Sequence, residues 1–440
     1  MTGRGGIPGV DSRSAVAALL LACAFAPAVL RAGAPRDVSR GAQVPFARVV
    51  EDLGSRDPAA RLRAVRLLRD AAYPEAAAPL AAALTDADPT VRLEAIAAEL
   101  NIFLAEKIVA RRRVGLVIEV RHPISAEAVF SQGPLAVGPE PVPAPVFAAL
   151  LQAAHGPNRR AALEALYAFG TLAVEPSGAR RRDLLTRSAP ELAAMLGSPD
   201  PAYRFAALRV AERIFERRAG DEAIDPVLGD PLVGALNDRD RTVRAAAMAA
   251  LGAARYDRAV AALTEQFQFF RRGPLAEAAL GALARIAHPA SRPIFAEASR
   301  AKDEGLKLPA IEGLVRLGGA DALDLITAAL VRVRDERVAL AGAFAAARLS
   351  GAPLDALVEA LRRPRLAVQA LQYLAEIAPA RPGAFGRYAQ DPDPKIRASV
   401  ADLLGLGGDR AALSIVESLR RDPDPRVALA AERATARLTP

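Results

Sequence analysis

The sequence predicts an all-α protein whose helix pairs stack into an α-α superhelix, and three observations support that fold class. A motif of the form Asp-Pro-x-Val/Ile-Arg, or a close variant, returns along the chain with neighbouring strong copies 31 or 40 residues apart. A repeat period of about 20–50 residues is typical of solenoids. The chain is 52% hydrophobic but only 5% aromatic, with no Trp, which suits thin layers of Ala and Leu. The strongest copies begin at Asp57, Asp88, Asp200, Asp240, Asp393 and Asp424.

Each copy of the motif has the features of a helix start. Asp suits the N-cap because its carboxylate accepts a hydrogen bond from a free backbone N–H. Pro suits the first helical position, where no N–H is needed, and the following Val or Ile begins the apolar face. The Arg is unfavourable beside a helix N-terminus, so an acidic residue of an adjacent repeat is expected to compensate it.

The motif, the Ala-x-x-x-Leu pattern behind it and the Gly that follows resemble HEAT repeats. The resemblance is strongest to the short class of about thirty residues that is also found in phycobilisome-lyase-like proteins, and it covers roughly residues 50–110 and 145–440. It implies a ladder in which Asp and Arg of stacked repeats pair with each other. It implies no single function, because HEAT arrays serve many unrelated roles.

The first two repeats are predicted between residues 49 and 113. The first pairs a helix near 59–72 with another near 74–85, and the second begins at Pro89 with a helix that runs through Ile108 to a basic cluster. The period then breaks, because the next strong helix start, Pro157, comes 68 residues after Pro89.

Residues 114–145 fill this break and are predicted to form an inserted β-hairpin with a Pro-rich return. Segment 114–120 is rich in β-branched residues, and Ala126 to Phe130 is its expected partner strand. Residues 138–145 contain four prolines and suit an extended chain. Insertions in repeat proteins often lie on the binding face, so this segment either contacts a ligand or clasps an edge of the array.

Helix pairs resume at residue 146 and continue to the end of the chain. Helices are expected at 146–154 and 158–173. Further repeats are predicted to begin near residues 201, 241, 274, 304, 336, 365, 394 and 425. The predicted divisions are an N-terminal segment 1–34, a linker 35–48, repeats over 49–113, the insertion 114–145 and the array 146–440.

Residues 1–34 have the pattern of an export signal peptide or an N-terminal anchor. Two arginines begin the segment, an apolar run reaches Leu30, and Ala32-Gly33-Ala34 has the form of a cleavage site. Leu20-Leu21-Ala22-Cys23 resembles a bacterial lipobox, which offers lipidation of Cys23 as an alternative. We therefore expect an exported protein of the bacterial periplasm or envelope, with membrane contact only through this segment.

The charged residues permit contact with an anionic partner without requiring it. The net charge is +8, and only 4 of the 58 basic residues are Lys. Several Arg doublets fall at predicted helix ends, where cations favour the helix dipole, and we interpret them as structural. They are Arg217-Arg218, Arg271-Arg272, Arg362-Arg363 and Arg420-Arg421.

No residue pattern predicts catalysis, a cofactor or a metal site. Cys23 is the single cysteine, and His122, His155 and His288 lack the spacing of metal ligands. No His is followed by Glu, as an iron hydroxylase built on such repeats would need. His288 precedes Pro289 and is expected to serve as a cap or turn residue.

The helix near 257–272 is the one stretch that stands out as a binding surface. The second helix of each pair usually lines the concave face of a HEAT array, and this helix contains Phe267, Phe269, Phe270, Arg271 and Arg272. Neighbours on a helix lie about 100° apart, so the three rings cannot share one stripe and one or two should be exposed. An exposed aromatic beside Arg has the composition of a protein-binding hot spot. The alternative is that the rings fill space in the core.

These observations predict a non-catalytic scaffold, expected to be a monomer, that binds a protein or peptide partner through its concave face. One alternative is a basic groove for a polyanion such as nucleic acid, against which the export signal argues. Another is a lyase-like accessory role, which requires a deep pocket with clustered polar groups.

Overall fold

A computed structural model describes residues 45–105, 125–138, 140–173, 179–216 and 223–439 of the chain. The expected export segment 1–34 and linker residues 35–44 lie outside these ranges, as do 106–124, where the first strand of the predicted hairpin falls. Residues from Phe46 onward form one compact unit.

The described residues are helical throughout, apart from turns and one isolated β-bridge. In chain order the α-helices are α1 Phe46–Asp52, α2 Pro58–Ala71, α3 Ala77–Leu80, α4 Pro89–Phe103, α5 Ala126–Ser131, α6 Ala144–Ala154, α7 Arg159–Leu172, α8 Ala179–Met195, α9 Pro201–Ile214, α10 Pro226–Gly234, α11 Arg241–Ala254, α12 Val260–Phe270, α13 Pro274–Ile286, α14 Arg292–Ala298, α15 Glu304–Leu317, α16 Ala322–Leu330, α17 Glu336–Leu349, α18 Asp355–Ala360, α19 Pro364–Ile377, α20 Pro394–Gly407, α21 Leu413–Leu419 and α22 Pro425–Leu438. The 3-10 helices are Pro74–Ala76, Ala81–Thr85, Pro134–Ala136, Ala235–Asn237, Asp257–Ala259, Pro289–Ser291, Pro382–Gln390 and Arg410–Ala412.

The helices form two rows. The motif row contains the helices that begin at the repeated motif or its weaker copies: α2, α4, α7, α9, α11, α13, α15, α17, α19, α20 and α22. The linking row contains the segments between them, such as α10, α12, α14, α16 and α18. The predicted repeat starts agree with the observed ones to within one residue from 201 onward, which confirms the period as one layer of the stack.

The motif helices begin where the sequence predicts because their caps are local. Asp57, Asp88 and Asp200 each accept a hydrogen bond from the backbone N–H two residues later, at 2.7–3.0 Å. A Pro at the first helical position follows each of these three caps. Such caps stabilise a helix by about 1 kcal/mol each, so most motif helices carry their own start signal, whereas α13 and α19 begin at a Pro without a side-chain cap.

A ladder of ion pairs joins successive layers, as the resemblance implies, but its acceptor is a different Asp from the one expected. Arg61 donates from Nε and Nη2 to Asp86 at 2.6 and 2.8 Å. Asp86 lies two residues before the N-cap Asp88 and also accepts the Asp88 backbone N–H at 2.8 Å. The first Asp of an Asp-x-Asp pair therefore binds the Arg of the layer before, while the second caps its own helix. The same pair recurs as Arg61–Asp86, Arg204–Asp238 and Arg397–Asp422.

The motif row is packed closely because its facing residues are small. Successive motif helices pack directly against each other, whereas α12, α14, α16 and α18 pack mainly on the motif helices beside them. A Cβ atom on Gly405 of α20 would lie 2.6 Å from the Cα atom of Ala434 in α22. In α11, the space beside Gly252 is equally restricted, 3.0 Å from Ala282. Buried Ala and Gly thus let neighbouring helix backbones approach.

The predicted hairpin is wrong for the part of the insertion that the structure describes. Residues 126–131 form helix α5, because Ser125 caps it by accepting the Ala128 N–H and Ala-Glu-Ala favours a helix. The β-branched and aromatic pair that suggested a strand, Val129 and Phe130, is instead the buried face of this helix.

The insertion leaves and rejoins the stack at one place. Helix α4 ends at Phe103, five residues before the predicted Ile108, because Leu104 adopts an extended conformation. Leu104 and Val137 form an antiparallel bridge. Helices α4 and α7 pack against each other across the insertion, so the excursion does not interrupt the row of layers.

Candidate binding surface

Helix α12, which carries three of the five predicted site residues and is directly followed by the other two, belongs to the linking row. It continues from the 3-10 helix Asp257–Ala259 and packs on α13. Leu263 is its one fully buried residue, because α12 lies at the surface of its layer. The C-terminal end of the helix is therefore free to present aromatic side chains.

The three Phe side chains separate as helical geometry requires. Phe267 and Phe270, three residues apart, are partly buried against the core, and the Arg244 guanidinium lies 5.7 Å from the Phe270 ring centre. Phe269 points away and is 78% exposed. Its ring meets that of Phe270 edge to face at 5.0 Å, a favourable geometry for aromatic pairs, so Phe270 supports Phe269 from below.

Arg271 and Arg272 follow in the turn between α12 and α13. Arg271 has a positive φ of 58° and ends the helix by donating its backbone N–H to the Phe267 carbonyl at 2.9 Å. Both side chains are exposed and have no ion-pair partner in the described part of the chain. The structure thus brings all five predicted residues together as one exposed ring, two supporting rings and two free cations.

The Arg doublets lie where the sequence predicts wherever they are described. Arg271-Arg272, Arg362-Arg363 and Arg420-Arg421 directly follow α12, α18 and α21 at or near their C-terminal ends. Arg217-Arg218 lies outside the described residues. His288 is confirmed as a cap, since its Nδ1 accepts the Ala290 backbone N–H at 3.2 Å.

A buried polar network lies where three motif helices meet, and sequence reasoning missed it. Arg316 of α15 reaches past α17 to Glu376 of α19, with two hydrogen bonds of 3.0 and 2.7 Å. Arg316 also binds Glu312 at 3.3 Å, and the Tyr373 hydroxyl donates to Glu312 at 2.6 Å. Burial opposes ionisation of Glu376, but the hydrogen bonds and charge of Arg316 outweigh it and lower the pKa of that carboxyl.

The members of the network bind one another, which gives it the character of a structural joint. The Phe344 ring of α17 stacks on Tyr373 at 4.3 Å with an interplanar angle of 6°. Burial, followed by the charge of Glu312, raises the pKa of Tyr373, which keeps its hydroxyl a donor. The only trace of this network in the sequence is a Glu and an Arg on alternate layers. That spacing predicts a contact only once the stacking of the layers is known.

Glu99 is the second polar group that the sequence did not reveal. It lies on α4 with no exposed surface, and neither carboxyl oxygen has a hydrogen-bond partner among the described residues. Burial raises the pKa of Glu99 well above its ordinary value. An acid held neutral in this way can serve chemistry, but no second titratable group stands beside it in the described residues to form a catalytic pair.

The described residues provide no site for a metal ion and no candidate membrane span. No group of three or more His, Cys, Asp or Glu side chains within those ranges could hold a metal. No helix among them is both long and apolar enough to cross a bilayer.

Comparisons with known proteins found similarity in overall architecture alone. No protein-family model and no curated protein matches the sequence. A solved structure of an engineered protein matches 90% of this chain and 99% of its own, at 18% identity and a TM-score of 0.42. The complex of CpcE and CpcF of phycocyanin lyase from Nostoc sp. PCC7120 matches 57% of this chain and 93% of its own, at 20% identity and a TM-score of 0.37.

Importin beta is a third solved structure that resembles the chain. It matches 89% of this chain and 55% of its own, at 17% identity and a TM-score of 0.35. None of these three proteins is close enough to transfer a function. The repeated Asp-capped helices, the two rows and the Arg–Asp ladder nevertheless show an α-solenoid of stacked helix pairs, the fold that the resemblance to HEAT repeats implies.

Proposed function

We propose that this chain is a non-catalytic scaffold that binds a protein or peptide partner, with Phe269 as an anchor of the binding surface. One observation carries the proposal: Phe269 has 78% of its surface exposed, the largest value among the exposed large hydrophobic residues of the described chain. Exposing a Phe ring costs hydrophobic free energy of about 1.5–3 kcal/mol relative to burying it. A ring so exposed, supported from below and flanked by Arg, suits a hot spot that a partner covers.

We infer that this surface lies away from the concave face, on which the sequence analysis expected it. Ion pairs that join alternate layers, Arg285–Glu216 at 2.9 Å and Arg316–Glu376, occur in the motif row. Side chains can bridge alternate layers only where the layers converge, so we infer that the motif row lines the concave side. Phe269 of the linking row would then lie at an outer edge of the array.

Selection from a random peptide display library tests the proposal with a defined probe. The library is panned on the wild-type chain, and the enriched peptides are measured against Phe269→Ser. We expect about tenfold or weaker binding by the variant, because an anchor contributes at least about 1.4 kcal/mol. Val368→Ser is the matched control, since Val368 is also an exposed apolar residue, at 67%, on another layer.

Stability measurements separate a binding role from a core role. Phe269→Ser should leave the melting temperature unchanged, because surface substitutions stay within about 0.5 kcal/mol. Phe270→Ser should lower it, because Phe270 is packed against the core. Peptides that bind Phe269→Ser as tightly as the wild type would remove Phe269 from the proposed site.

The expected export signal bears on where such a partner would be found. An apolar N-terminal run favours a periplasmic or envelope partner, and sequencing the N-terminus of the mature protein tests this. A start near Pro35 or a lipid on Cys23 would support export, while an intact N-terminus on a cytoplasmic protein would refute it.

A further inference from the structure

One edge of the solenoid carries a regular series of exposed cations. The edge consists of the five turns that lead from a linking segment into α11, α13, α15, α17 and α19. Each turn, with the first residues of its motif helix, contributes two exposed cations or more. We call the following set the basic edge: Arg239, Arg241, Arg271, Arg272, Arg300, Lys302, Arg332, Arg334, Arg363 and Arg365.

Within the described ranges, nine of these ten cations have no ion pair. The exception is Arg363, which pairs with Glu336. Two further exposed cations of the same turns are paired and are not counted in the set: Arg337 with Asp335, and Arg362 with Asp391. The nearby carboxylates are engaged elsewhere: Asp238 binds Arg204 with both oxygens, and Asp303 caps α15. Glu304 accepts two backbone N–H groups of the following turn, so none of these three acids forms an ion pair with a cation of the edge.

The opposite edge of the same layers shows that unpaired Arg is not a general property of this Arg-rich chain. There the turns lead from motif helices into linking segments, and most of the arginines have partners. Examples are Arg258–Asp230, Arg285–Glu216, Arg292–Asp321, Arg316–Glu376 and Arg387–Asp355. A coding bias toward Arg would fill both edges alike, whereas only one edge is left unneutralised.

Two residues of the basic edge also stand in a conformation that Arg adopts at a cost. Arg271 and Arg332 have φ angles of 58° and 64°, in the left-handed region that Gly or Asn would occupy more readily. Gly at either position would relieve the backbone but remove the cation. Ala72, Arg255 and Ala287 share this conformation at the ends of motif helices, so the argument for the basic edge rests on its unpaired cations.

We propose that the basic edge binds an extended acidic peptide segment, whose apolar side chain docks on Phe269. This inference rests on the scaffold function proposed above and names the chemistry of the partner. Helices in contact lie about 8–10 Å apart, so the cations repeat at about that spacing over five layers. A peptide in the extended polyproline II conformation rises about 3.1 Å per residue with three residues per turn, so every third side chain lies on one face and would meet a cation pair.

The aromatic content of the edge favours a peptide over a single-stranded nucleic acid. Single-strand sites stack successive bases on several aromatic side chains. On the basic edge, the aromatics are confined to the end of α12, and the turns at 237–241, 299–303, 331–335 and 361–365 contain none. The chain's own N-terminal residues 1–44 are excluded by charge, because they contain five Arg and two Asp.

A binding titration with matched charge variants tests this inference. The probe is a fluorescent synthetic peptide of about twelve residues with Glu at every third position and one Phe; a second peptide carries Ser for Phe. The edge variant combines Arg272→Gln, Arg300→Gln and Arg334→Gln. The control variant combines Arg180→Gln, Arg182→Gln and Arg410→Gln, which are exposed and have no ion pair in the described chain but lie at the starts of linking segments.

We expect the edge variant to bind the peptide about tenfold more weakly, because three exposed charge contacts are lost. The control variant should bind within about twofold of the wild type. Salt should weaken binding by the wild type more steeply than by the edge variant. The Ser peptide should bind the wild type more weakly than the Phe peptide does. It should bind the wild type and Phe269→Ser with equal affinity.

Three results would overturn the inference. Equal losses in the edge and control variants would mean that only net charge matters. Tighter binding of a single-stranded oligonucleotide through the same cations would assign the edge to nucleic acid. Full binding by the edge variant, with loss of the library-selected peptides in Phe269→Ser, would refute the basic edge while leaving the scaffold proposal intact.

Discussion

The most unusual single residue in the described chain is Glu99, a buried carboxyl group without a hydrogen-bond partner. Leaving a buried polar group unsatisfied costs about 1–3 kcal/mol. We therefore expect Glu99→Met, which fills similar volume without a polar group, to raise the free energy of unfolding by about that amount at neutral pH. Urea titration measures it, and Glu75→Met, an exposed change in the neighbouring layer, serves as the control.

The same residue makes a prediction about pH whose sign follows from its raised pKa. Between the unfolded pKa of about 4.3 and the higher folded pKa, the native state holds a proton that the unfolded state has lost. Stability should therefore fall as pH rises through this interval. The stability difference between Glu99→Met and wild type should be larger at pH 7 than at pH 4, and a difference independent of pH would contradict a neutral buried acid.

At the residue scale, the sequence correctly predicts those features that depend on one helix alone. The side chains of Phe267, Phe269 and Phe270 point in different directions because successive residues on a helix lie about 100° apart. One of the three rings is therefore exposed. The burial of Glu99 depends on contacts from neighbouring layers and could not be read from α4 alone. The ladder was implied by the resemblance, but the choice between the two acids of an Asp-x-Asp pair needed the geometry of the turn.

At the scale of helix packing, the same Gly→Ala substitution is expected to change stability in opposite directions at two positions. Gly405→Ala places a Cβ atom 2.6 Å from the Ala434 backbone and should destabilise the protein by about 1–3 kcal/mol, because the helices must move apart. Gly281→Ala, inside α13, meets nothing within 4 Å and should stabilise it by about 0.5–1 kcal/mol. Thermal unfolding of the two variants checks both signs, and equal effects would contradict the close approach of α20 and α22.

The ladder between helices can be tested at Arg204. Its partner Asp238 has a side chain only 11% exposed, so Arg204→Met leaves a largely buried carboxylate without its bidentate donor. We expect a loss of about 1–3 kcal/mol at pH 7. Arg204→Lys should lose part of this, because an ammonium cannot reproduce the two parallel hydrogen bonds.

The pH dependence of the ladder has the opposite sign to that of Glu99. The Arg204 guanidinium lowers the pKa of Asp238, so the pair stabilises the fold above the unfolded Asp pKa of about 3.9. That contribution is lost as pH falls through the lower folded pKa. In urea titrations, the difference in the free energy of unfolding between wild type and Arg204→Met should become smaller toward pH 2. A difference that does not change with pH would mean that packing of the Arg204 methylene groups dominates.

Among the elements, the motif helices could be predicted and the linking segments only roughly. Asp and Pro fix a motif helix locally, so its first residue needs no tertiary information. The linking segments mix α-helix with 3-10 turns, as at Pro382–Gln390, and often lack a side-chain cap. The segment at 126–130 was misread as a strand because Val129 and Phe130 favour strands, whereas a Ser cap and burial against α7 select the helix.

At the scale of the whole molecule, the repeat period predicts the stack of layers. It does not predict which row of helices lines the concave side of the stack. A repeat of about thirty residues fixes the layer, and the packing of α4 on α7 keeps the layers continuous across the insertion. Which row is concave depends on which helices have small facing residues along the entire series. That information is spread over Ala and Gly positions that no single repeat displays, so the sequence alone does not decide which row lines the concave side.

The joint at Arg316 predicts how the array unfolds as a whole. Solenoids behave as nearest-neighbour stacks in which each layer contacts only the next, but Arg316 links α15 to α19 across α17. Arg316→Met leaves the partly buried Glu312 and Glu376 without their cation and should destabilise the protein by about 1–3 kcal/mol. Hydrogen exchange measured by mass spectrometry should show faster exchange in α15, α17 and α19 together, with α2 and α4 unchanged. Arg337→Met, which removes a half-exposed pair with Asp335, should change protection little, and loss confined to α15 would show that the layers are not coupled beyond nearest neighbours.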